Sequence, residues 1–191
     1  MAAQPGGLLV PANLARATGL SKSTASKYLA VLHEVFLIKL LPGWSRGATR
    51  AVRTPKLAFV DSGVAAQISG HDSRSLLRAD APLGGLLESF VAMTLARQTS
   101  WSEVDVELFH YRTKDNVEVD ILLQDQRGNV VGIEVKASST VRGHDFTGLR
   151  HLSTRLGSDF LAGIVLYTGP GTLSFGDKFR AMPISAVWQT A

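Results

Sequence analysis

The sequence predicts a mixed α/β protein built in two parts. Two short helical patterns separated by a glycine open the chain, and an alternating hairpin pattern lies at residues 117–137. A helical pattern and a strongly apolar run follow the hairpin. These observations indicate a helical unit with a two-stranded wing over residues 1–70, a linker over residues 71–80, and a mixed-sheet domain of order α-β-β-β-α-β over residues 81–191.

Composition limits the class of protein. The 191 residues suffice for one domain or two small ones with a substantial core. The chain has no cysteine, so disulfides and thiolate metal sites are excluded, and a reducing cytoplasm is the expected location. No apolar run approaches about 18 residues, so the sequence predicts no transmembrane helix, no secretion signal and no membrane partner.

Charge is distributed unevenly along the chain. The net charge is +4, but residues 1–60 alone carry eight basic side chains and one acidic side chain, a net charge of +7. The remaining residues therefore carry −3. A basic first third indicates a polyanion such as DNA as a partner, although a basic surface that only aids solubility explains the same composition.

The first two helices are predicted from their capping signals. One runs from Asn13 to Gly19, and this glycine suits the C′ position. Ser21 then caps a second helix that ends near His33. The inward side chains are expected to be Leu14 and Ala17 in the first helix, and Ala25, Leu29 and Leu32, with Tyr28 beside them, in the second.

Helix, glycine-containing turn and helix form a helix-turn-helix arrangement. In that motif the N-terminal turn of the second helix contacts DNA. Here that turn carries hydroxyl and ammonium groups able to donate to phosphates or base edges. The candidate contacts are Lys22, Ser23, Thr24, Ser26 and Lys27. Small helical units of this shape also serve as protein docking modules, so both interpretations stay open.

Residues 36–60 are predicted to form two strands around a basic loop between Pro42 and Thr54. These strands would make the wing beside the helices. Four side chains near its tip are candidate nucleic-acid contacts: Trp44, Arg46, Arg50 and Arg53. An aromatic ring among arginines can stack on nucleic acid, and it can equally anchor another domain.

A helix from Ala81 to Thr99 is predicted to open the second part, after a short helix within residues 61–70. Its inward side chains are expected to be Leu83, Leu87, Phe90, Val91 and Leu95. Glu88 lies at the border of this stripe, between the small residues Gly84 and Ala92 one turn away on either side. Another element can therefore approach and meet the carboxylate, although a glutamate on a helix surface explains the position as well.

The stretch at residues 117–137 predicts a β-hairpin that carries chemistry, with its loop at residues 125–129. The expected cross-strand pairs are Gln124 with Val130, Asp120 with Glu134, and Glu118 with Lys136. Because side chains alternate in a strand, the four charged residues are predicted to share one face. The opposite, apolar face is expected to contain Val117, Val119, Ile121, Ile133, Val135 and Ala137.

Directly opposed carboxylates on such a hairpin repel each other, so the pair favours a cation between them. Asp120 and Glu134, with Lys136 two residues beyond, suit a hard divalent metal bound through oxygen. Mg²⁺ or Mn²⁺ is the expected ion. The competing interpretation is a half-exposed hairpin whose charged side chains simply face water.

The remaining elements complete a mixed sheet. Residues 104–112 are strand-like and precede the hairpin. A helix is predicted from about Asp145 to Leu156, and a buried strand from Phe160 to Tyr167 should lie parallel to the Ile133 strand. Met182 to Trp188 is a candidate edge strand. The helix should bury one side, formed by Phe146, Leu149, Leu152 and Leu156.

This element order, with Glu88 on the first helix, Asp120 on the second strand and Glu134-x-Lys136 on the third, resembles the restriction-endonuclease-like, or PD-(D/E)xK, fold. The resemblance implies that Asp120 and Glu134 bind Mg²⁺ and that Glu88 joins the metal shell. It also implies that Lys136 orients or activates the attacking water. Val119 stands where the motif has proline, a departure that many members share.

Several longer phrases resemble the C-terminal region of a large prokaryotic AAA-type ATPase family of poorly defined function. They include LARATGLSKSTASKYLAVLHEVFLIKLLPGW, LGGLLESFVAMTL, YRTKDNVEVDILL and GIEVKASSTVRGHDF. In that family an ATPase module precedes the helix-turn-helix part, which implies that this chain is a fragment or a shortened relative. The sequence has no G-x-x-x-x-G-K-S/T loop, so no ATP site is expected.

Three functions agree with these features. The first is a DNA-binding, divalent-metal-dependent nuclease-like module. The second is a catalytically silent DNA-binding module that works only with its ATPase part, and the third is an adaptor that packs on an ATPase or another subunit through Trp44 and residues 36–41. The five histidines are scattered and lack metal-ligand spacing, which does not favour zinc or serine-hydrolase chemistry. The sequence leaves the oligomeric state open.

Overall fold

The computed structural model describes residues 7–46, 51–78 and 81–189. In this part of the chain, helices and strands form a mixed α/β fold, as the sequence predicts. The chain divides into two compact units, the first made of residues 1–41 and 54–93 and the second of residues 42–53 and 94–191. No helix within the described ranges combines the length and apolar character needed to cross a membrane.

The first unit begins with two helices, α1 (Pro11–Thr18) and α2 (Lys22–Glu34). Both predicted caps are confirmed. Gly19 adopts a left-handed backbone conformation with a φ of 68°, and the Ser21 side chain accepts a hydrogen bond from the backbone N–H of Thr24. Of the predicted inward side chains, Ala25 and Leu29 are buried, and Leu14 and Leu32 are half-buried.

The prediction that Ala17 points inward is wrong, because α1 buries Ala15 instead. Two residues along an α-helix rotate a side chain by about 200°, so Ala17 lies on the side away from Ala15 and is exposed. The helix also begins at Pro11 rather than Asn13, since proline is well suited to the first helical turn.

Two short antiparallel strands follow, β1 (Ile38–Leu41) and β2 (Lys56–Phe59), which confirm the two strands predicted around the loop. The helix α3 (Ser62–Ile68) begins after Asp61, whose side chain accepts a hydrogen bond from the N–H of Val64. A short 3-10 helix, Ser75–Leu77, lies within residues 71–80, whose role as a linker stays a prediction. The core of this unit includes Leu29, Ile38, Leu57, Phe59, Ala65 and Leu86.

The helix α4 (Leu83–Gln98) confirms the helix predicted at residues 81–99, but its inner stripe is only partly right. Val91 and Leu95 are buried as predicted. The other members of the predicted stripe are half-buried: Leu83, Leu87 and Phe90. The buried side includes instead Leu86, Ala92 and Met93. The helix is apolar on most of its circumference, so residue spacing alone does not single out the buried side.

The second unit contains a six-stranded sheet with the strand order β3-β4-β5-β6-β8-β7. The strands are β3 (Val106–Arg112), β4 (Glu118–Asp125), β5 (Val130–Lys136), β6 (Phe160–Tyr167), β7 (Leu173–Ser174) and β8 (Phe179–Pro183). Strands β3, β4 and β5 are antiparallel neighbours, and β6 lies parallel to β5. The predicted order of elements and the parallel pairing are therefore confirmed.

The candidate edge strand at residues 182–188 is wrong in its bounds and in its position. Strand β8 ends at Pro183 and is followed by a 3-10 helix, Ile184–Trp188. Proline has no N–H to donate to a neighbouring strand, so the ladder stops there. Strand β8 also lies inside the sheet, between β6 and the short strand β7.

Part of the loop between β1 and β2 belongs to the second unit and lies along β3, a strand at one edge of the sheet. The His110 N–H donates to the Pro42 carbonyl oxygen (3.0 Å), and the Trp44 N–H donates to the His110 carbonyl oxygen (2.8 Å). The Val52 N–H donates to the Arg112 carbonyl oxygen at 2.7 Å. The loop thus pairs with backbone groups that an edge strand would otherwise leave exposed.

Trp44 anchors this loop and does not stack on nucleic acid. Its side chain is 2% exposed, and its ring nitrogen donates a hydrogen bond to the Gln124 side-chain oxygen at 2.8 Å. The ring lies edge-on to Tyr111, with 6.0 Å between the centroids. Of the two interpretations that the sequence leaves open, the structure therefore favours the anchor, because a buried indole whose N–H has a hydrogen-bond partner is held in the core.

The helix α5 (Thr147–Leu156), preceded by a 3-10 helix (Gly143–Phe146), covers one face of the sheet. Its predicted buried side is confirmed: Phe146, Leu149 and Leu152 are buried and Leu156 is half-buried. Gly148 lets the first turn of α5 approach β4, because a Cβ at this position would overlap the carbonyl oxygen of Glu118.

Replacing Gly148 with alanine is expected to destabilise the fold by about 1–3 kcal/mol, because the added methyl group must push α5 away from β4. The free energy of unfolding measured with urea checks this expectation. Gly143→Ala is the matched control, since a Cβ at Gly143 has no neighbour within 4 Å. Equal stabilities of the two variants would contradict the close approach of α5 to β4.

Candidate functional site

The hairpin of β4 and β5 is closed by a turn that Asp125 organises. Its carboxylate accepts hydrogen bonds from the backbone N–H groups of Arg127 (2.9 Å) and Asn129 (2.8 Å) and from the Asn129 side chain (2.7 Å). Gly128 has a φ of 86°, a left-handed conformation that glycine adopts without strain. The turn occupies the predicted residues 125–129, and a glycine in this conformation is typical of short hairpin loops.

The register of the hairpin is the predicted one. The cross-strand pairs are Gln124 with Val130, Leu123 with Val131, Leu122 with Gly132, and Ile121 with Ile133. Extending this register by one residue leads to Asp120 and Glu134, the two candidate metal ligands. The turn therefore sets the alignment of strands on which the site depends.

A β-bulge interrupts the regular alternation of β4 at the end of this ladder. In the pairing with β3, two residues of β4, Asp120 and Ile121, lie opposite the single residue His110. As a result, Val119 packs in the same core cluster as Leu122, although the two positions differ by three. Alternation alone therefore no longer assigns Asp120 to a face of the sheet.

The bulge corrects the prediction that four charged residues share one face of the hairpin. The sequence predicts Val117 and Val119 on the face away from the charges, whereas both pack with the core under α5. Glu118 lies between these two valines in the sequence, so its side chain points to the face of the sheet away from α5. The ion-pair partner of Glu118 is Arg112 of β3, and Lys136 pairs with Glu134.

Asp120 lies in the bulge and is 8% exposed. Its carboxylate oxygen Oδ2 accepts a hydrogen bond from the backbone N–H of Val135 at 3.0 Å. This bond puts the carboxylate beside the peptide group that joins Glu134 to Val135. The acid of one strand is therefore held at the E-x-K segment of the next.

Glu134 is 7% exposed, and Lys136 is half-buried. Their side chains form an ion pair, with 3.6 Å between the Lys136 ammonium nitrogen and Glu134 Oε2. Ionised carboxylates are costly to bury unless a partner compensates their charge. Glu134 has the Lys136 ammonium group as its charge partner, and Asp120 has the Val135 N–H as a hydrogen-bond donor.

The donor set of Asp120 and Glu134 fits a hard divalent cation that retains water. Carboxylate oxygens are the ligands that Mg²⁺ prefers, and one or two carboxylates commonly hold it together with waters and substrate phosphates. Within residues 7–46, 51–78 and 81–189, no three His, Cys, Asp or Glu side chains are grouped so that they could hold a metal ion. Asp120 and Glu134 are thus the two carboxylates of the hairpin that could contribute oxygen ligands to such an ion.

Glu88, the third predicted ligand, lies on α4 in the first unit and is half-buried. Its carboxylate forms an ion pair with Lys56 of β2, at 2.7 Å. Sequence reasoning missed Lys56, because an ion pair between two segments that are distant in the chain leaves no local signal. The role of Glu88 as a metal ligand stays a prediction.

At the start of α2, the candidate DNA contacts Lys22 and Lys27 are exposed. The hydroxyls of Ser23 and Thr24 each lie 2.9 Å from the Ser21 hydroxyl and bond to it. The first turn of α2 contains no acidic residue, so the positive end of the helix remains favourable for an anion. The lysines are therefore the most available donors of this group.

The arginines of the loop after β1 differ in their surroundings. Arg53 is exposed, whereas Arg46 forms an ion pair with Asp159 at 2.7 Å. Arg50 lies outside the described residues. A nucleic-acid contact by any of the three stays a prediction, and for Arg46 it would have to compete with the Asp159 carboxylate.

Two family models match the chain. A domain of unknown function, DUF8612, matches residues 1–75. The domain of unknown function DUF4143 matches residues 83–187, more than half of the 191 residues. The chain belongs to the DUF4143 family. The DUF4143 region contains the whole β4–β5 hairpin with its acids and Lys136.

Two curated mycobacterial proteins are similar to this DUF4143 protein. The uncharacterized protein Rv2008c of Mycobacterium tuberculosis and the uncharacterized protein Mb2031c of Mycobacterium bovis are each 30% identical to it over 136 residues. The similarity covers 71% of this chain and 30% of each relative. The chain therefore spans only about 30% of the length of these relatives.

The Asp125 turn predicts a pH-dependent contribution to stability. Hydrogen bonds lower the pKa of Asp125 below its ordinary value of 3.8. The bond from the Asn129 side chain has the largest effect, and bonds from backbone N–H groups add to it. A lowered pKa stabilises the fold above the ordinary value, and the stabilisation is lost as the pH falls through the lowered value. Asp125→Ala should therefore be less stable than the wild type at neutral pH, and the difference should shrink as the pH falls below 3.8.

Urea denaturation at a series of pH values measures this difference. Asp115→Ala, at an exposed aspartate in the turn before β4, controls for the loss of one negative charge. A difference between Asp125→Ala and the wild type that stays constant into acid would contradict a stabilising role of the ionised carboxylate.

Proposed function

We propose that this DUF4143 protein is a DNA-binding module with a metal-dependent nuclease-like centre formed by Asp120, Glu134 and Lys136. The reaction would be hydrolysis of a phosphodiester bond in DNA. The observation that carries the proposal is the hydrogen bond from the Val135 N–H to Asp120, which holds a carboxylate of β4 at the E-x-K segment of β5. The resemblance of this arrangement to the PD-(D/E)xK fold supports the same chemistry.

Each residue of the centre has a chemical role in this proposal. Asp120 and Glu134 would hold Mg²⁺ or Mn²⁺, and the bound ion would supply Lewis-acid polarisation of a phosphate. Lys136 would orient the attacking water and stabilise the negative charge that develops on the phosphate oxygens. Its ion pair with Glu134, at 3.6 Å, keeps the ammonium group at the carboxylate.

Cleavage of supercoiled plasmid in the presence of Mg²⁺ or Mn²⁺ tests the enzymatic part. Asp120→Asn and Lys136→Ala should each lower the cleavage rate by about 100-fold or more, because each removes a group that acts at the reacting phosphate. Glu107→Gln, at an exposed acid of β3, is the matched control and should cleave like the wild type. Circular dichroism verifies that the variants are folded.

Binding of Mn²⁺ measured by calorimetry gives a readout independent of cleavage. Asp120→Asn should bind Mn²⁺ more weakly than the wild type, whereas Lys136→Ala should still bind it, since the lysine is not a ligand. An intact plasmid with the wild type, or equal cleavage by all variants, would remove the enzymatic claim.

The charge of the first sixty residues supports DNA binding through α2. Residues 1–60 carry a net charge of +7, and Lys22 and Lys27 are exposed at the start of the helix. Contacts between lysines and phosphates are independent of sequence and weaken as salt increases, because binding releases counterions. The proposed contact is therefore one that positions the chain on DNA.

Replacing Lys22 and Lys27 together with alanine should weaken DNA binding and reduce the slope of log affinity against log salt by about 2. Fluorescence anisotropy of a labelled duplex at several salt concentrations measures both quantities. Lys114→Ala with Arg127→Ala removes two exposed charges from the second unit and serves as the control. If both double variants lose the same affinity, the contact does not belong to α2.

A second candidate function is a catalytically silent module that acts only together with an AAA-type ATPase part. One observation favours it: the matched region is 30% of each mycobacterial relative. In this case the chain alone would leave plasmid intact, while its salt-dependent binding to DNA would persist.

A further inference from the structure

The outer face of α5 is basic. On the side away from the buried Leu149 and Leu152, this helix exposes two arginines, a histidine and two threonines, and it contains no acidic residue. The five exposed side chains lie within about 140° of the helix circumference. They are termed the α5 face: Thr147, Arg150, His151, Thr154 and Arg155. Each of them can donate a hydrogen bond to an anionic oxygen.

Charge in the second unit is segregated along the chain. Residues 103–118 contain five acidic and two basic side chains, whereas residues 146–158 contain two arginines and no acid. The acids that flank α5 are engaged, since Asp145 accepts the Arg142 N–H at 2.7 Å and Asp159 pairs with Arg46. A surface that serves only solubility has both signs interspersed. The uncompensated positive charge of the α5 face therefore indicates an anionic partner.

Arg150 is held in position by the core beneath it. Its guanidinium carbon lies 4.7 Å from the centroid of the Phe179 ring and 5.9 Å from that of Phe146. One guanidinium nitrogen donates to the Phe175 carbonyl oxygen at 3.2 Å. Because a guanidinium has five N–H donors in one plane, this bond leaves donors for a phosphate, and the ring contacts fix their orientation. The side chain is thus pre-organised for an anion.

The α5 face belongs to the same unit as the candidate centre. The first turn of α5 lies against β4, because a Cβ at Gly148 would overlap the carbonyl oxygen of Glu118, two residues before Asp120. Arg142, which precedes the helix, is exposed and follows Lys136 by six residues. A polyanion on the α5 face would therefore be held by the unit that contains the centre.

We propose that the α5 face, together with Arg142, binds the phosphate backbone of double-stranded DNA. This inference rests on the proposed DNA-binding function and adds to it a contact in the second unit, distinct from that of α2. The closely spaced charges of a duplex suit several arginines on one surface. Arginine and threonine side chains are common donors to phosphate oxygens, and such contacts position DNA without reading its sequence.

Fluorescence anisotropy of a labelled duplex in the absence of divalent metal measures binding apart from cleavage. Arg142→Gln combined with Arg150→Gln should weaken binding about 10-fold and reduce the slope of log affinity against log salt by about 2, because two phosphate contacts are lost. Lys114→Gln combined with Arg127→Gln removes the same charge from exposed positions outside the α5 face and should bind like the wild type.

Thr154→Glu keeps the test decisive if the arginine variant is unstable. This change places a carboxylate one turn from Arg150 on the exposed face and removes no arginine. It should weaken binding much more than Thr154→Gln, which adds a side chain of the same size without the charge.

A single cysteine locates the contact, since the chain has no cysteine of its own. Thr147→Cys should react with a maleimide several-fold more slowly when the duplex is present. Glu103→Cys, at an exposed acid outside the α5 face, should react at the same rate with and without DNA.

The outcomes separate this proposal from the function on which it rests. A wild type that does not bind the duplex would overturn both. A wild type that binds, with equal affinities for the α5-face variants and the control and no protection of Thr147→Cys, would overturn the α5 contact alone.

Discussion

The hydrogen bond from the Val135 N–H to the Asp120 carboxylate is the interaction on which the candidate site depends. In an uninterrupted antiparallel ladder, such an N–H group pairs with a backbone carbonyl of the neighbouring strand. Here the backbone pairing of β4 with β5 ends at Ile121 and Ile133, and the carboxylate takes over as the acceptor. The Asp120 carboxylate thus satisfies the buried Val135 N–H, and the same bond holds it beside the E-x-K segment.

Much of this arrangement could be predicted, because its signals are local in the sequence. Ser21 and Gly19 fix the ends of two helices through contacts within a few residues of themselves. In the same way, Asp125 and Gly128 determine a short turn, and the turn determines the register of the strands on either side. Spacing from that turn is sufficient to locate the two acids of the hairpin, Asp120 and Glu134, on neighbouring strands.

What could not be predicted depends on contacts between distant segments. The bulge arises where β4 meets β3, so alternation within β4 assigns Val119 to the wrong face. The burial of Trp44 depends on a loop from the first hairpin lying along the edge of a sheet more than 60 residues away in the chain. The ion pair of Lys56 with Glu88 likewise joins a strand to a later helix. No periodic pattern within one element contains this information.

The loop along β3 also affects how the protein behaves when it is concentrated. A free edge strand offers N–H and C=O groups to any extended polypeptide, which is a route to amyloid-like polymerisation and domain swapping. At one edge of this sheet, residues 42–44 and 51–52 already pair with some of the backbone groups of this edge. At the other edge, β7 is only two residues long. Within the described chain the sheet therefore presents little backbone to a foreign strand, and the loop protects the native fold against aggregation as well as completing it.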